Sequence, residues 1–65
     1  MIIYVKGQEM QVPEGLTVAE LMVMLEYTRF AAVWINDRQV LQGNYSTRVL
    51  KDLDQVLIIR PLSGG

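Results

Sequence analysis

Two uninterrupted apolar runs, Ile2 to Val5 and Val56 to Ile59, stand at opposite ends of a 65-residue chain. Both are rich in β-branched residues and read as strands. Continuous runs of this kind suit strands with neighbours on both sides rather than an exposed edge. A chain this short has room for one domain only. The two runs therefore belong together at the centre of one sheet, and the first and last strands are expected to be partners.

The intervening sequence supplies the rest of a small α+β fold. The first strand is expected over Ile2 to Lys6, with Gly7-Gln8 as a hairpin turn because glycine reaches positive φ without strain. Glu9 to Pro13 follows as a second strand, with Met10 and Val12 on one face and Pro13 ending it. Then comes "TVAELMVMLEY", where Thr17 at the N-cap and Glu20 three residues on form a capping box. Val18, Leu21, Met22 and Leu25 make one apolar stripe along this helix, and its methionines read as core filler. Ala31 to Ile35 is a third strand, Asn36-Asp37 a tight turn, and "RQVL" a short fourth strand. An irregular stretch from Gln42 to Lys51 has space for one short helical turn. Asp52-Leu53-Asp54 then turns into the last strand, "QVLIIR". The order β-β-α-β-β-β with central terminal strands predicts a β-grasp: a mixed four- to five-stranded sheet with one helix on one face. Residues 1–60 form the domain, and 61–65 are expected to be a flexible tail.

Such a sheet leaves one face uncovered. Side chains alternate along a strand, so Val33 and Ile35 toward the helix send Trp34 the other way. By the same count Val56 and Ile58 point inward, and Leu57 and Ile59 outward. An outward Trp34-Leu57-Ile59 set on neighbouring strands is a candidate partner surface.

The residue inventory limits the chemistry. No histidine or cysteine is present, which removes the usual general base, the usual strong nucleophile, disulfides, and thiolate or imidazole metal ligands. Glu20 and Glu26 share the helix but sit on different faces, and Asp52 and Asp54 flank a turn, so no carboxylate pair suits acid–base work. No catalytic residue and no metal site is assigned, no bound cofactor is expected, and the chain is not expected to be an enzyme. Six cations against seven acids give a net charge of −1, which does not favour nucleic acid. No apolar run approaches the length of a membrane span and no signal segment opens the chain. A cytoplasmic protein without nucleic-acid or membrane partners, monomeric when free, is the expectation.

The remaining feature is the end, "RPLSGG". Pro61 has no N–H and stops the ladder. The five residues from Pro61 to Gly65 reach at most roughly 17 Å beyond the sheet. Gly64 and Gly65 lack Cβ atoms and can enter a slot too narrow for any other residue. At the tip sits an α-carboxylate, ionised at neutral pH. A carboxylate is a poor acyl donor, but it can attack the α-phosphate of ATP to give a reactive acyl-adenylate. A sulfur nucleophile converts that to a thiocarboxylate, and an amine or thiol converts it to a conjugate. All catalytic side chains then belong to the partner, in keeping with a chain that carries no histidine or cysteine.

Over its whole length the sequence resembles the ThiS-type sulfur carriers of thiamine biosynthesis, in the ThiS/MoaD branch of ubiquitin-like proteins. The matching stretches are "VPEGLTVAELMVML", "VWINDRQV" and "LKDLDQVLIIRPLSGG". The family's turn before the last strand usually reads Asp-Gly-Asp; here it is Asp52-Leu53-Asp54. The family's "VPR-x-x-W"-like segment is replaced by "VLQGNY", which puts Tyr45 where an aromatic anchor packs. The resemblance implies that Gly65 is adenylated and thiocarboxylated by a ubiquitin-activating-like enzyme of the ThiF/MoeB type, with ATP used by that enzyme. It implies that Gly64, Ser63 and Leu62 thread into the partner, and that Trp34, Leu57, Ile59 and Arg60 dock it. A thiazole synthase of the ThiG type is the implied sulfur acceptor. Three alternatives stay open at this stage: a carrier for molybdopterin or another pathway, a ubiquitin-like protein modifier, and a plain interaction module with an incidental Gly-Gly.

Overall fold

A computed structural model describes residues 1–62. Its elements run β1 (Ile2–Val5), β2 (Gln8–Gln11), α1 (Val18–Met24), β3 (Ala32–Ile35), β4 (Arg38–Val40), a short 3₁₀ turn (Gln42–Asn44) and β5 (Gln55–Ile59). The five strands form one sheet in the order β2-β1-β5-β3-β4. The two apolar runs are the central pair, with β1 and β5 parallel and the other pairings antiparallel. This is the mixed five-stranded, one-helix sheet of a ubiquitin-like β-grasp. Among the described residues no helix is long and apolar enough to cross a membrane.

Helix α1 begins as its sequence dictates. The Thr17 hydroxyl accepts from the Glu20 N–H at 3.2 Å, and the Glu20 carboxylate accepts from the Thr17 N–H at 3.0 Å, closing the capping box. The Thr17 backbone N–H, seconded by its hydroxyl, holds the Glu20 carboxyl below its ordinary value of 4.5. The far end differs from expectation. The helix stops at Met24 instead of continuing to Tyr27, because Glu26 adopts φ 63° and reverses the chain. The Glu26 N–H donates to Val23 O and the Tyr27 N–H to Met22 O at 2.8 Å. This is a Schellman closure built on a non-glycine residue. Glu26 accordingly lies outside the helix it was expected to share with Glu20.

The first hairpin turn is also displaced by one residue. Val5 pairs with Gln8, so the turn consists of Lys6 and Gly7, both at positive φ (52° and 79°), rather than Gly7 and Gln8. Two left-handed residues match the twist of the flanking strands, and Lys6 takes the first such position at some steric cost. The Asn36-Asp37 turn uses the same geometry, at 51° and 68°.

The core forms where the inward residues of the sheet meet the helix stripe. Ile3, Val33, Ile35 and Ile58 pack with Val18 and Leu21, all at most 2 % exposed. Met22 is buried, Met10 is partly buried, and Met24 is half exposed and fills no core space. Tyr45 is buried as expected of an aromatic anchor, and its hydroxyl donates to Ala31 O at 2.7 Å, tying the 3₁₀ region to the start of β3. Burial pushes the Tyr45 phenol above its ordinary value.

The turn before β5 departs from what its backbone prefers. Leu53 sits at φ 69° while 59 % exposed, so it accepts left-handed strain without burying much surface. Replacing it with glycine removes the Cβ penalty and returns part of the gain through the unfolded chain's entropy. Leu53→Gly is expected to raise stability by about 0.5 kcal/mol. A lower denaturation midpoint for the variant would show that the leucine side chain contributes more than its conformation costs.

Candidate functional site

The open face of the sheet is built by alternation. Val33, Ile35, Val56 and Ile58 are buried, which leaves Trp34 half-buried and Leu57 and Ile59 at 43 % and 48 % exposure. The β3–β5 register puts Trp34 directly opposite Leu57, and Ala32 opposite Ile59. Trp34 and Leu57 thus form a cross-strand pair on the uncovered face, as the sequence count requires. Ile59 follows on the same face, two residues nearer the tail.

Trp34 and Leu57 line a shallow depression of about 590 Å³ that continues onto β1 and the two hairpin turns. Its other walls are Tyr4, Lys6, Gly7, Asp37, Gln55 and Val56. Tyr4 is the residue that sequence analysis missed. Its neighbour Ile3 is fully buried, so alternation along β1 sends Tyr4 outward, and the count applied to β3 and β5 finds it too. The depression therefore has aromatic residues on β1 and β3 with Leu57 between them on β5. One ionisable group of each sign, Lys6 and Asp37, stands on its wall. An apolar floor with a few charges at its edge suits a protein partner.

Arg60, expected on this face, does something more specific. Its guanidinium lies 4.4 Å from the centroid of the Tyr27 ring, and Lys6 Nζ lies 5.5 Å from the same centroid. Both distances are within cation–π range. Leu62 is 97 % exposed and free of the core. Ser63, Gly64 and Gly65, assigned to threading and activation, lie outside the described residues, as does most of the tail expected to be flexible.

The acidic residues near β5 are structural. Asp54, the buried charged residue among those described, accepts from Asn36 Nδ2 at 3.0 Å and from the Lys51 N–H at 2.8 Å. Asp52 accepts from the Ile2 N–H at 2.8 Å. These two carboxylates fasten the turn to β1 and to the β3–β4 hairpin instead of facing the depression.

A model of the ThiS family matches residues 2–65. No curated protein sequence matches the chain significantly. Among solved structures, the crystal structure of a thiamine biosynthesis protein (ThiS) from Geobacter metallireducens superposes with a TM-score of 0.85 at 26 % identity, covering the whole of both chains. The solution structure of a thiamine biosynthesis protein from the same organism gives a TM-score of 0.82 at 26 % identity, covering this whole chain and 88 % of that one.

Proposed function

The chain belongs to the ThiS family, and on that premise we propose that it is a sulfur carrier of thiamine biosynthesis that works through its Gly65 carboxylate. In this scheme an activating enzyme binds the open sheet face at Trp34, Leu57 and Ile59 and takes up Leu62 to Gly65. A carboxylate oxygen of Gly65 attacks the α-phosphate of ATP, pyrophosphate leaves, and the acyl-adenylate forms. A persulfide sulfur of a donor then displaces AMP to give an acyl disulfide. Attack of a second thiol on the donor-side sulfur releases the terminal thiocarboxylate and leaves that thiol joined to the donor as a disulfide. The thiocarboxylate passes its sulfur to a thiazole-forming enzyme. This chain is the co-substrate throughout, and the partner supplies ATP and the catalytic groups.

The observation that carries the proposal is the family match, which extends through the Gly-Gly end. The fold is in keeping with it. Strand β5 pairs with β3 up to Ile59, and Pro61, two residues later, cannot donate to a ladder. The Gly-Gly pair follows within six residues of the last strand position, close enough for the sheet face and the tail to meet one partner together.

Incubation with ATP, an activating enzyme and a sulfur donor, followed by intact-mass measurement, tests the scheme. The expected product carries an oxygen-to-sulfur exchange at the C-terminus. Conjugates to lysine-bearing proteins without a free thiocarboxylate would replace this reading with that of a modifier.

A further inference from the structure

The tail's root is held by one side of the sheet alone. The β1–β5 pairing ends at Val5 and Val56, with one further bond from the Lys6 N–H to Val56 O at 3.0 Å. From Leu57 to Ile59 the last strand has β3 as its paired neighbour. Beyond Ile59, Pro61 offers no donor, so the direction in which the chain leaves the domain depends on what Arg60 does.

Arg60 lies over a ring whose backbone is anchored and whose side chain packs partly on the core. The Tyr27 N–H closes the Schellman motif on Met22 O at 2.8 Å, and the side chain is half-buried against the core. The ring is therefore a half-buried platform on an anchored backbone at the end of α1, with the Arg60 guanidinium 4.4 Å from its centroid. A planar guanidinium stacks well on an aromatic face. Ordering the backbone of one residue costs about 1–2 kcal/mol, and holding part of a ligand in its bound path before docking reduces what binding must supply.

We propose that Tyr27 is a positioning residue: its ring clamps Arg60 and sets the path by which the C-terminal tail enters the activating enzyme. The inference rests on the functional reading above, in which that tail is the substrate. Tyr27 touches no reacting atom, so its effect falls on capture of the carrier and leaves the chemical step alone.

Two measurements test this. In the first, NMR of the free protein reads the Arg60 side-chain protons and the amide heteronuclear NOE of Leu62. Tyr27→Leu is expected to remove the ring-current displacement of the Arg60 protons and to lower the Leu62 NOE, whereas Tyr27→Phe retains both. In the second, ATP–pyrophosphate exchange is followed against carrier concentration. Tyr27→Leu is expected to raise KM about two- to fivefold with kcat unchanged, the range set by an exposed cation–π contact. Tyr27→Phe is expected to restore the wild-type KM. Arg60→Gln, at an exposed position that does not threaten folding, checks the other half of the pair and should raise KM by at least as much. Arg60 protons without ring-current displacement in the wild type, or an unchanged KM in Tyr27→Leu, would overturn the clamp. Absence of exchange with the wild-type chain would instead overturn the sulfur-carrier reading, and the NMR arm would still decide whether the clamp exists.

Discussion

Removal of Gly65 is expected to abolish ATP–pyrophosphate exchange and to leave the thermal transition of the domain unchanged. The truncated chain still ends in a glycyl carboxylate, because Gly64 then becomes the terminus. What changes is reach, since the acid group withdraws by about 3.5 Å, one extended residue. Attack on a phosphate requires reacting atoms about 3–3.5 Å apart, and a misplacement of about 1 Å can cost about a hundredfold. A full residue of withdrawal therefore takes the carboxylate out of attack range unless the sheet face lets go of the partner. Stability is expected to be untouched because Leu62 is almost fully exposed and, among the described residues, the buried set extends no further than Ile58. Exchange retained at the wild-type rate in the truncated chain would refute activation at Gly65. An unfolded truncated chain would refute the independence of the domain from its tail.

The parts of this molecule that could be read from its sequence are those governed by period and composition. Two apolar runs were enough to place β1 and β5 side by side, and alternation was enough to turn Trp34 and Leu57 toward one face. Thr17 and Glu20 announced the helix start because both halves of a capping box are side chains. The helix end was hidden because its left-handed residue is Glu26 rather than a glycine, and nothing in "MLEY" marks a stop. Lys6 concealed the hairpin turn in the same way, by occupying a conformation that statistics assign to Asn or Gly. Tyr4 was legible but belonged to a strand recognised only by its apolar character. The Tyr27–Arg60 contact joins residues 33 positions apart through two elements whose ends are the least predictable parts of the fold. No local pattern encodes such a contact.

Asp54 illustrates the same limit with a larger energetic consequence, since a carboxylate in "DLD" reads as a solvated turn residue and is instead 5 % exposed. Its two oxygens accept from different parts of the chain, Asn36 Nδ2 on one side and the Lys51 N–H on the other. Asn36 in turn accepts from the Gln55 N–H at 3.0 Å and donates its own N–H to Gln55 O at 2.8 Å. The Asp54 carbonyl accepts from the Tyr4 N–H at 2.9 Å. One residue thus joins the β3–β4 turn, the loop before β5 and the first strand at the entry to the central strand. Asp54→Ala leaves the backbone bond intact but strands two donors beside a small void. Hydrogen bonds to a charged group contribute about 1.5–3 kcal/mol each, and an unpaired buried donor adds its own desolvation cost. The expected loss is about 3 kcal/mol, which for a domain of this size lowers the melting temperature by more than about 10 °C. Asp54→Asn keeps one acceptor oxygen but turns an amide N–H toward another donor, so it should fall between the wild type and alanine. Combining Asn36→Ala with Asp54→Ala should cost clearly less than the sum of the two single changes, because the residues share one network. A melting temperature for Asp54→Ala within a degree or two of the wild type would show that water replaces the carboxylate without loss. Below its transition the Asp54→Ala protein should still support ATP–pyrophosphate exchange, because Arg60 and the Tyr27 ring lie at the other end of β5 from the damaged turn.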